Sequence, residues 1–139
     1  MKLYESFFFS LDYFPSELLL VVSWTEKVID VTDDEIKDSL LKYLFYFEKY
    51  KPKRVLFDAG KALYPFTPDM FQWVMDNIAK VVDQVNDDYA VAYVLPGEFL
   101  IRVNMEQLIN RIKLYSQKKR KVFVDKEKSL EWLLKGQVI

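Results

Sequence analysis

The sequence contains neither cysteine nor histidine, and these two absences exclude several classes of function. Without cysteine, the chain cannot form a disulfide framework, a thiolate metal site or a cysteine nucleophile. Without histidine, it has no Ser-His or Cys-His pair and no side chain whose ordinary pKa lies near neutral pH. A metal site would need carboxylates alone, and the Asp-x-Asp-x-Asp-Gly spacing of a calcium loop does not occur. We therefore expect a protein that is not an enzyme and has no cofactor and no metal.

Glycine and proline are also scarce, with 3 and 5 residues, which argues against linkers, disorder and low complexity. Gly60 and Gly97 stand alone, so neither the Rossmann nor the Walker phosphate loop is present. The 139 residues, 51% of them hydrophobic, predict a single domain spanning residues 1–139 with one packed core.

Long hydrophobic runs are missing as well. The longest aliphatic run, Leu18 to Val22, is far shorter than the roughly 20 residues that span a bilayer. Ser6, Ser10 and Asp12 interrupt the apolar start of the chain, which is too broken for a signal peptide. We expect a cytoplasmic protein without membrane insertion.

The net charge of −1 conceals an uneven distribution, because residues 1–100 carry 10 basic and 17 acidic side chains and residues 101–139 carry 10 and 4. The cluster Lys118 to Lys121 fits either an anionic partner or a solvated helix end near the negative pole of the helix dipole. We favour the helix end. Because the chain is acidic overall and the cluster is local, we expect no nucleic-acid binding.

The order of the predicted elements indicates an α/β fold. Two strands joined by a short turn are expected to pair antiparallel, and three helix-strand repeats and a last helix follow. The predicted strands are Glu5 to Asp12, Glu17 to Thr25, Arg54 to Ala59, Tyr89 to Leu95 and Lys121 to Val124. This pattern predicts a mixed, mostly parallel five-stranded sheet with an antiparallel first strand and about four packed helices.

Helix starts are marked by capping residues. Thr32 and Glu35 form a capping box, and Thr67 precedes a proline at the first helical position. Asn104 with Gln107 gives a weaker box, leaving residues 98–103 ambiguous between loop and helix. Asp125 is expected to cap the last helix, which ends near Gly136.

A binding site in such a sheet is expected beyond the carboxyl ends of the parallel strands. The side chains placed to line that edge are Asp58, Tyr64, Phe66, Thr67, Glu98 and Phe99. Each fits a functional and a structural role. Asp58 could be a phosphate-relay or metal-binding carboxylate, or a carboxylate that holds loop N–H groups. Thr67 could be a phosphorylation site or a helix cap, and the aromatic residues could form an apolar mouth or a loop folded over the core.

Three segments resemble the STAS domains, specifically their SpoIIAA-like branch: Val55 to Asp58, Thr67 to Asp69, and Val122 to Asp125 followed by Leu130 to Leu133. The resemblance covers nearly the whole chain and implies a mixed sheet with packed helices and no catalytic residues. It also implies protein recognition or, as in some relatives, binding of an apolar ligand. The phosphorylatable serine of the anti-sigma-factor antagonists is absent here, and Thr67 is at most its positional analogue.

The leading hypothesis is a non-enzymatic protein-interaction or regulatory module whose protein partner the sequence does not name; a homodimer stays open. The alternative is a carrier or sensor of a small apolar ligand at the edge formed by the 60–67 and 96–99 loops. A third hypothesis, an enzyme that uses Asp58 and Glu98, is the least favoured. A closed cavity of several hundred Å³ beneath the 60–66 loop would favour the carrier.

Overall fold

The computed structural model describes residues 1–26, 30–86, 88–116 and 118–135, and the predicted helix end near Gly136 lies outside them. Within these residues the chain forms a six-stranded mixed sheet covered by helices on both faces. The strands are β1 (Lys2–Glu5), β2 (Phe9–Phe14), β3 (Leu19–Trp24), β4 (Arg54–Asp58), β5 (Ala90–Val94) and β6 (Lys119–Phe123). The helices are α1 (Asp33–Tyr50), α2 (Pro68–Val74), α3 (Lys80–Val85), α4 (Phe99–Tyr115) and α5 (Lys126–Lys135).

The strands lie in the sheet in the same order as in the sequence. β1, β2 and β3 pair antiparallel, and β3 to β6 pair parallel through the crossover helices. Parallel crossovers are almost always right-handed, so a sequential strand order places all three crossovers on one face. A π-helical turn, Met75–Ala79, joins α2 and α3 into one continuous helix across that face.

The main core lies between the sheet and the crossover helices α1 to α4. A smaller core lies on the opposite face, where Leu133 of α5 packs against residues from β3, β4 and β5. β5 is buried on both faces, as its continuous apolar run predicts.

The fold class is confirmed, with a different strand count. The predicted first strand, Glu5 to Asp12, is in fact parts of β1 and β2, separated by residues 6–8. The connection from β2 to β3 is a 3-10 turn, Pro15–Glu17, that ends at Leu18 in the left-handed region with φ of 51°. The apolar run around Phe7 to Phe9 hid the reversal, because it contains no glycine or proline.

The helix caps are confirmed at Thr32 and Thr67, and Asp125 accepts a hydrogen bond from the Glu127 N–H at 2.9 Å. The predicted box at Asn104 is wrong, because α4 begins earlier and Glu98 caps it. Asn104 lies inside α4, where its amide serves another segment of the chain.

Candidate functional site

Asp58 is the last residue of β4 and lies at the carboxyl edge of the sheet, where the sequence predicts a site. Its Oδ1 accepts a hydrogen bond from the Gly60 N–H at 3.3 Å, and its Oδ2 lies 3.5 Å from Nζ of Lys126. The carboxylate therefore orders the loop after β4 and pairs with a cation of α5.

Tyr64 and Phe66 lie on the loop between β4 and α2, and both line a cavity in the main core. The Tyr64 hydroxyl donates a hydrogen bond to Asp33 in the first turn of α1. The amide of Asn104 holds the backbone of Phe66, accepting from its N–H at 2.7 Å and donating to its carbonyl at 2.8 Å. The loop is thus fastened to α1 and α4 and closes one end of the core.

The remaining predicted residues cap helices or lie on the surface. The Thr67 hydroxyl accepts a backbone N–H of α2 at 3.2 Å, and the Glu98 carboxylate accepts two backbone N–H groups of α4 at 2.7 and 3.3 Å. Phe99 is 62% exposed, with the guanidinium of Arg102 5.8 Å from its ring centroid. The structure therefore brings Tyr64 and Phe66 together at the cavity, whereas Phe99 lies away from it.

The cavity measures about 110 Å³ and lies between the sheet and the crossover helices. Aliphatic side chains of α1 to α4 form its roof, among them Ile36, Leu40, Val74, Ile78, Met105 and Leu108. Residues on or just after strands β3 to β6 form its floor: Trp24, Phe57, Ala59, Tyr93, Leu95 and Arg120. An apolar cavity of about 150 Å³ is large enough for benzene, so this one takes a molecule of at most about one ring.

Stacked aromatic rings form the centre of the floor. Phe57 and Tyr93 are direct partners on neighbouring parallel strands, and their rings stack 5.4 Å apart at 9°. Trp24 stacks on the other side of Phe57 at 5.9 Å and 12°, and Tyr43 of α1 meets Phe57 edge to face at 4.9 Å. These rings give the cavity a continuous aromatic floor across β3, β4 and β5.

Arg120 forms the polar end of the cavity, and its position corrects the interpretation of the basic cluster as a helix end. Residues 119–121 of that cluster belong to strand β6, and the side chain of Arg120 is only 4% exposed. Its Nη1 donates to the Tyr93 hydroxyl at 2.8 Å, and its Nη2 donates to the Tyr89 hydroxyl at 2.9 Å. Asp83 lies 3.6 Å from Nη2 and balances the charge.

Burial and neighbouring hydroxyl groups shift the pKa values of this cluster. Desolvation acts to lower the pKa of Arg120, but the hydroxyls of Tyr93, Tyr89 and Tyr43 outweigh it, so the pKa is raised and the guanidinium stays charged. Desolvation raises the pKa of Tyr43 and of Tyr89, so both phenols stay protonated.

Two residues that line this cavity each carry a buried polar atom with no hydrogen-bond partner among the described residues: Nε1 of Trp24 and Nε of Arg120. The sequence reasoning favoured core or rim packing for Trp24 and a solvated helix end for Arg120, and it assigned neither residue to a cavity. The alternation of β6 carried the signal for Arg120, which shares a face with the apolar Val122. The strand was predicted to begin at Lys121, two residues after its actual start at Lys119, and so left Arg120 out.

A second concavity lies on the surface, between the β1–β2 turn and α1. This groove of about 630 Å³ is lined by residues of both elements. Three of its apolar side chains are markedly exposed, namely Phe7 at 57%, Leu41 at 45% and Phe45 at 60%. Glu35 and Asp38 add two carboxylates to its lining and Lys42 adds one cation.

The described residues contain no group of three or more acidic side chains placed to hold a metal ion. None of the described helices combines the length and apolarity needed to cross a bilayer. Comparison with protein-family models, curated proteins and solved structures found no significant match to this chain.

Proposed function

We propose that this chain is a non-enzymatic STAS-like interaction module that docks a basic amphipathic segment of a partner protein in the groove between the β1–β2 turn and α1. The exposed aromatic side chains of Phe7 and Phe45 carry this proposal. Large apolar side chains gathered in one concavity typically mark a binding surface, and buried aromatic anchors dominate interface energies.

The charge of the groove specifies the partner. Its lining carries Glu35 and Asp38 against Lys42, and Asp33 and Asp34 extend the acidic character along the first turn of α1. Lys42 is engaged with the ring of Tyr4, 5.2 Å from its centroid. A segment with apolar residues on one side and lysine or arginine on the other complements this surface.

The carboxyl edge of the sheet supports a non-enzymatic role. Thr67 and Glu98 cap helices, and Asp58 binds a loop N–H and faces Lys126. General acid-base or nucleophilic catalysis needs a positioned partner for such a carboxylate, and histidine and cysteine are absent from the sequence. A cavity of about 110 Å³ is also smaller than a carrier of a drug-sized ligand needs, which favours the interaction module.

Synthetic peptides test the docking proposal. We expect an amphipathic leucine-lysine peptide, labelled for fluorescence anisotropy, to bind the protein more tightly than the matching leucine-glutamate peptide. Phe45→Ser should weaken the lysine peptide by about tenfold or more, because it removes an aromatic anchor. The exposed position of Phe45 should leave the fold intact.

Leu114→Ser provides the matched control, since Leu114 is 88% exposed and does not line the groove. It should leave peptide affinity unchanged. Equal binding of both peptides, or a lysine peptide that is indifferent to Phe45→Ser, would contradict the proposal.

A further inference from the structure

We propose that the core cavity is a binding site for a small apolar molecule of about one ring that carries a hydrogen-bond acceptor oxygen, recognised by Arg120. This inference is independent of the groove, because the two concavities share no lining residue.

Arg120 has a hydrogen-bond donor that is not satisfied. Its side chain is only 4% exposed, and its Nε lacks a partner among the described residues. Leaving a buried charged donor unpaired destabilises the folded state, and native structures seldom contain such a group without a reason.

The neighbouring tyrosine hydroxyls also offer hydrogen-bond donors. The Tyr93 hydroxyl accepts from Arg120, and no described acceptor takes its own proton. The Tyr43 hydroxyl has no hydrogen bond to any described residue, although its ring lines the same cavity. The residues at this end of the cavity therefore carry donors without acceptors, and a ligand with an acceptor oxygen would satisfy one of them.

The size and polarity of the cavity define the rest of the ligand. Apart from Arg120, aliphatic and aromatic residues dominate the lining, so the rest of the ligand is apolar. The volume of about 110 Å³ admits a five-membered ring with one substituent more readily than a chain or a lipid.

Cyclopentanone and methylenecyclopentane form a matched pair of probes, because they differ only in an oxygen in place of a methylene group. We expect cyclopentanone to bind the wild-type protein about tenfold more tightly, as judged by NMR titration. Desolvation alone predicts the opposite order, since a carbonyl is more costly to remove from water than a methylene. Cyclopentanone should also shift the Arg120 Nε–H resonance.

Two variants separate recognition from simple filling of space. Arg120→Met should reverse the preference, so that methylenecyclopentane binds at least as tightly as the ketone. Ala79→Leu places a larger side chain in the cavity from the π-helical turn and should abolish binding of both probes. If Arg120→Met does not fold, the wild-type titration decides alone.

Three results would overturn the proposal. The first is that neither probe binds the wild-type protein. The second is that methylenecyclopentane binds as tightly as cyclopentanone, and the third is a ketone titration that shifts surface resonances while leaving Arg120 unchanged. The docking proposal would survive each of these results, because its peptides test only the groove.

Discussion

At the scale of single residues, polar side chains near the carboxyl edge of the sheet are committed to backbone groups. Thr67 illustrates this, because its hydroxyl satisfies an N–H of the first turn of α2 that no helical carbonyl can reach. Such a role gives each residue a measurable effect on stability.

We expect Thr67→Ala to lower the free energy of unfolding by about 1 kcal/mol through loss of the cap. Thr67→Asp should be nearly neutral, because an aspartate also caps and suits the positive end of the helix dipole. Urea denaturation of the three proteins measures both effects. Unchanged stability in Thr67→Ala would mean that the hydroxyl contributes nothing as a cap.

The buried phenol of Tyr64 makes the free energy of unfolding depend on pH in the alkaline range. Burial, and then the hydrogen bond to Asp33, raise the pKa of Tyr64 above its ordinary value. A raised pKa means that the folded state holds the proton more tightly than the unfolded chain does. The stabilisation that the protonated Tyr64 phenol contributes is therefore complete below about pH 10. It is lost as the pH rises through the folded-state pKa of Tyr64.

We expect the free energy of unfolding to fall less steeply above about pH 10 in Tyr64→Phe than in the wild-type protein. Denaturant unfolding at a series of pH values measures the slopes. Tyr115→Phe is the matched control, because it removes a phenol at an exposed position. Identical slopes in all three proteins would show that the buried phenol of Tyr64 does not couple to folding.

At the scale of elements, α5 is the single described helix on its face of the sheet, and it is held there by an apolar anchor. Leu133 is fully buried among residues of β3, β4 and β5, including Leu56 and Ala92. Arg54 adds a hydrogen bond from its Nε to the Leu133 carbonyl at 3.0 Å.

We expect Leu133→Ala to lower the free energy of unfolding by about 2–5 kcal/mol, since it leaves a cavity against the sheet. Leu114→Ala removes the same atoms at an exposed position of α4 and should change stability by less than about 0.5 kcal/mol. Thermal and chemical denaturation compare the two variants. A small effect in Leu133→Ala would mean that α5 is not packed on the sheet as described.

β6 is an edge strand of the described sheet, and its composition suits that position. Lys119 and Lys121 alternate with the inward-facing Arg120 and Val122 and are exposed. Lysine on an edge opposes pairing with a strand of another molecule. The same cluster that predicted a solvated helix end therefore protects a strand edge.

At the scale of the whole molecule, the sequential strand order turns an asymmetry of the sequence into an asymmetry in space. Residues 1–100 carry a net charge of −7 from 10 basic and 17 acidic side chains, and residues 101–139 carry +6 from 10 and 4. Because the strands follow sequence order, the acidic first elements and the basic β6 lie toward opposite edges of the sheet.

We expect the protein to bind both anion- and cation-exchange resins at pH 7 and low ionic strength, despite its net charge of −1. Binding to both resins should vanish at high salt, because screening then limits electrostatic attraction to a few Å. The double variant Lys119→Glu and Lys121→Glu should lose retention on the cation exchanger and keep it on the anion exchanger. Failure of the wild-type protein to bind the cation exchanger would contradict the charge separation.

The sequence by itself determined the features that depend on neighbouring residues. Thr32 and Thr67 marked helix starts, because a cap needs only a side-chain oxygen and the next turn of backbone. The apolar run of β5 indicated a buried parallel strand, and the order of helices and strands then defined the α/β class.

Only the tertiary structure decided where Arg120 lies and what surrounds it. Its partners Tyr89 and Tyr93 come from another strand region, and the Trp24–Phe57–Tyr93 stack joins three strands. No local pattern encodes such contacts, because they arise from the register between strands far apart in sequence. The cavity depends on these same contacts, so it became visible only once the sheet and its helices were assembled.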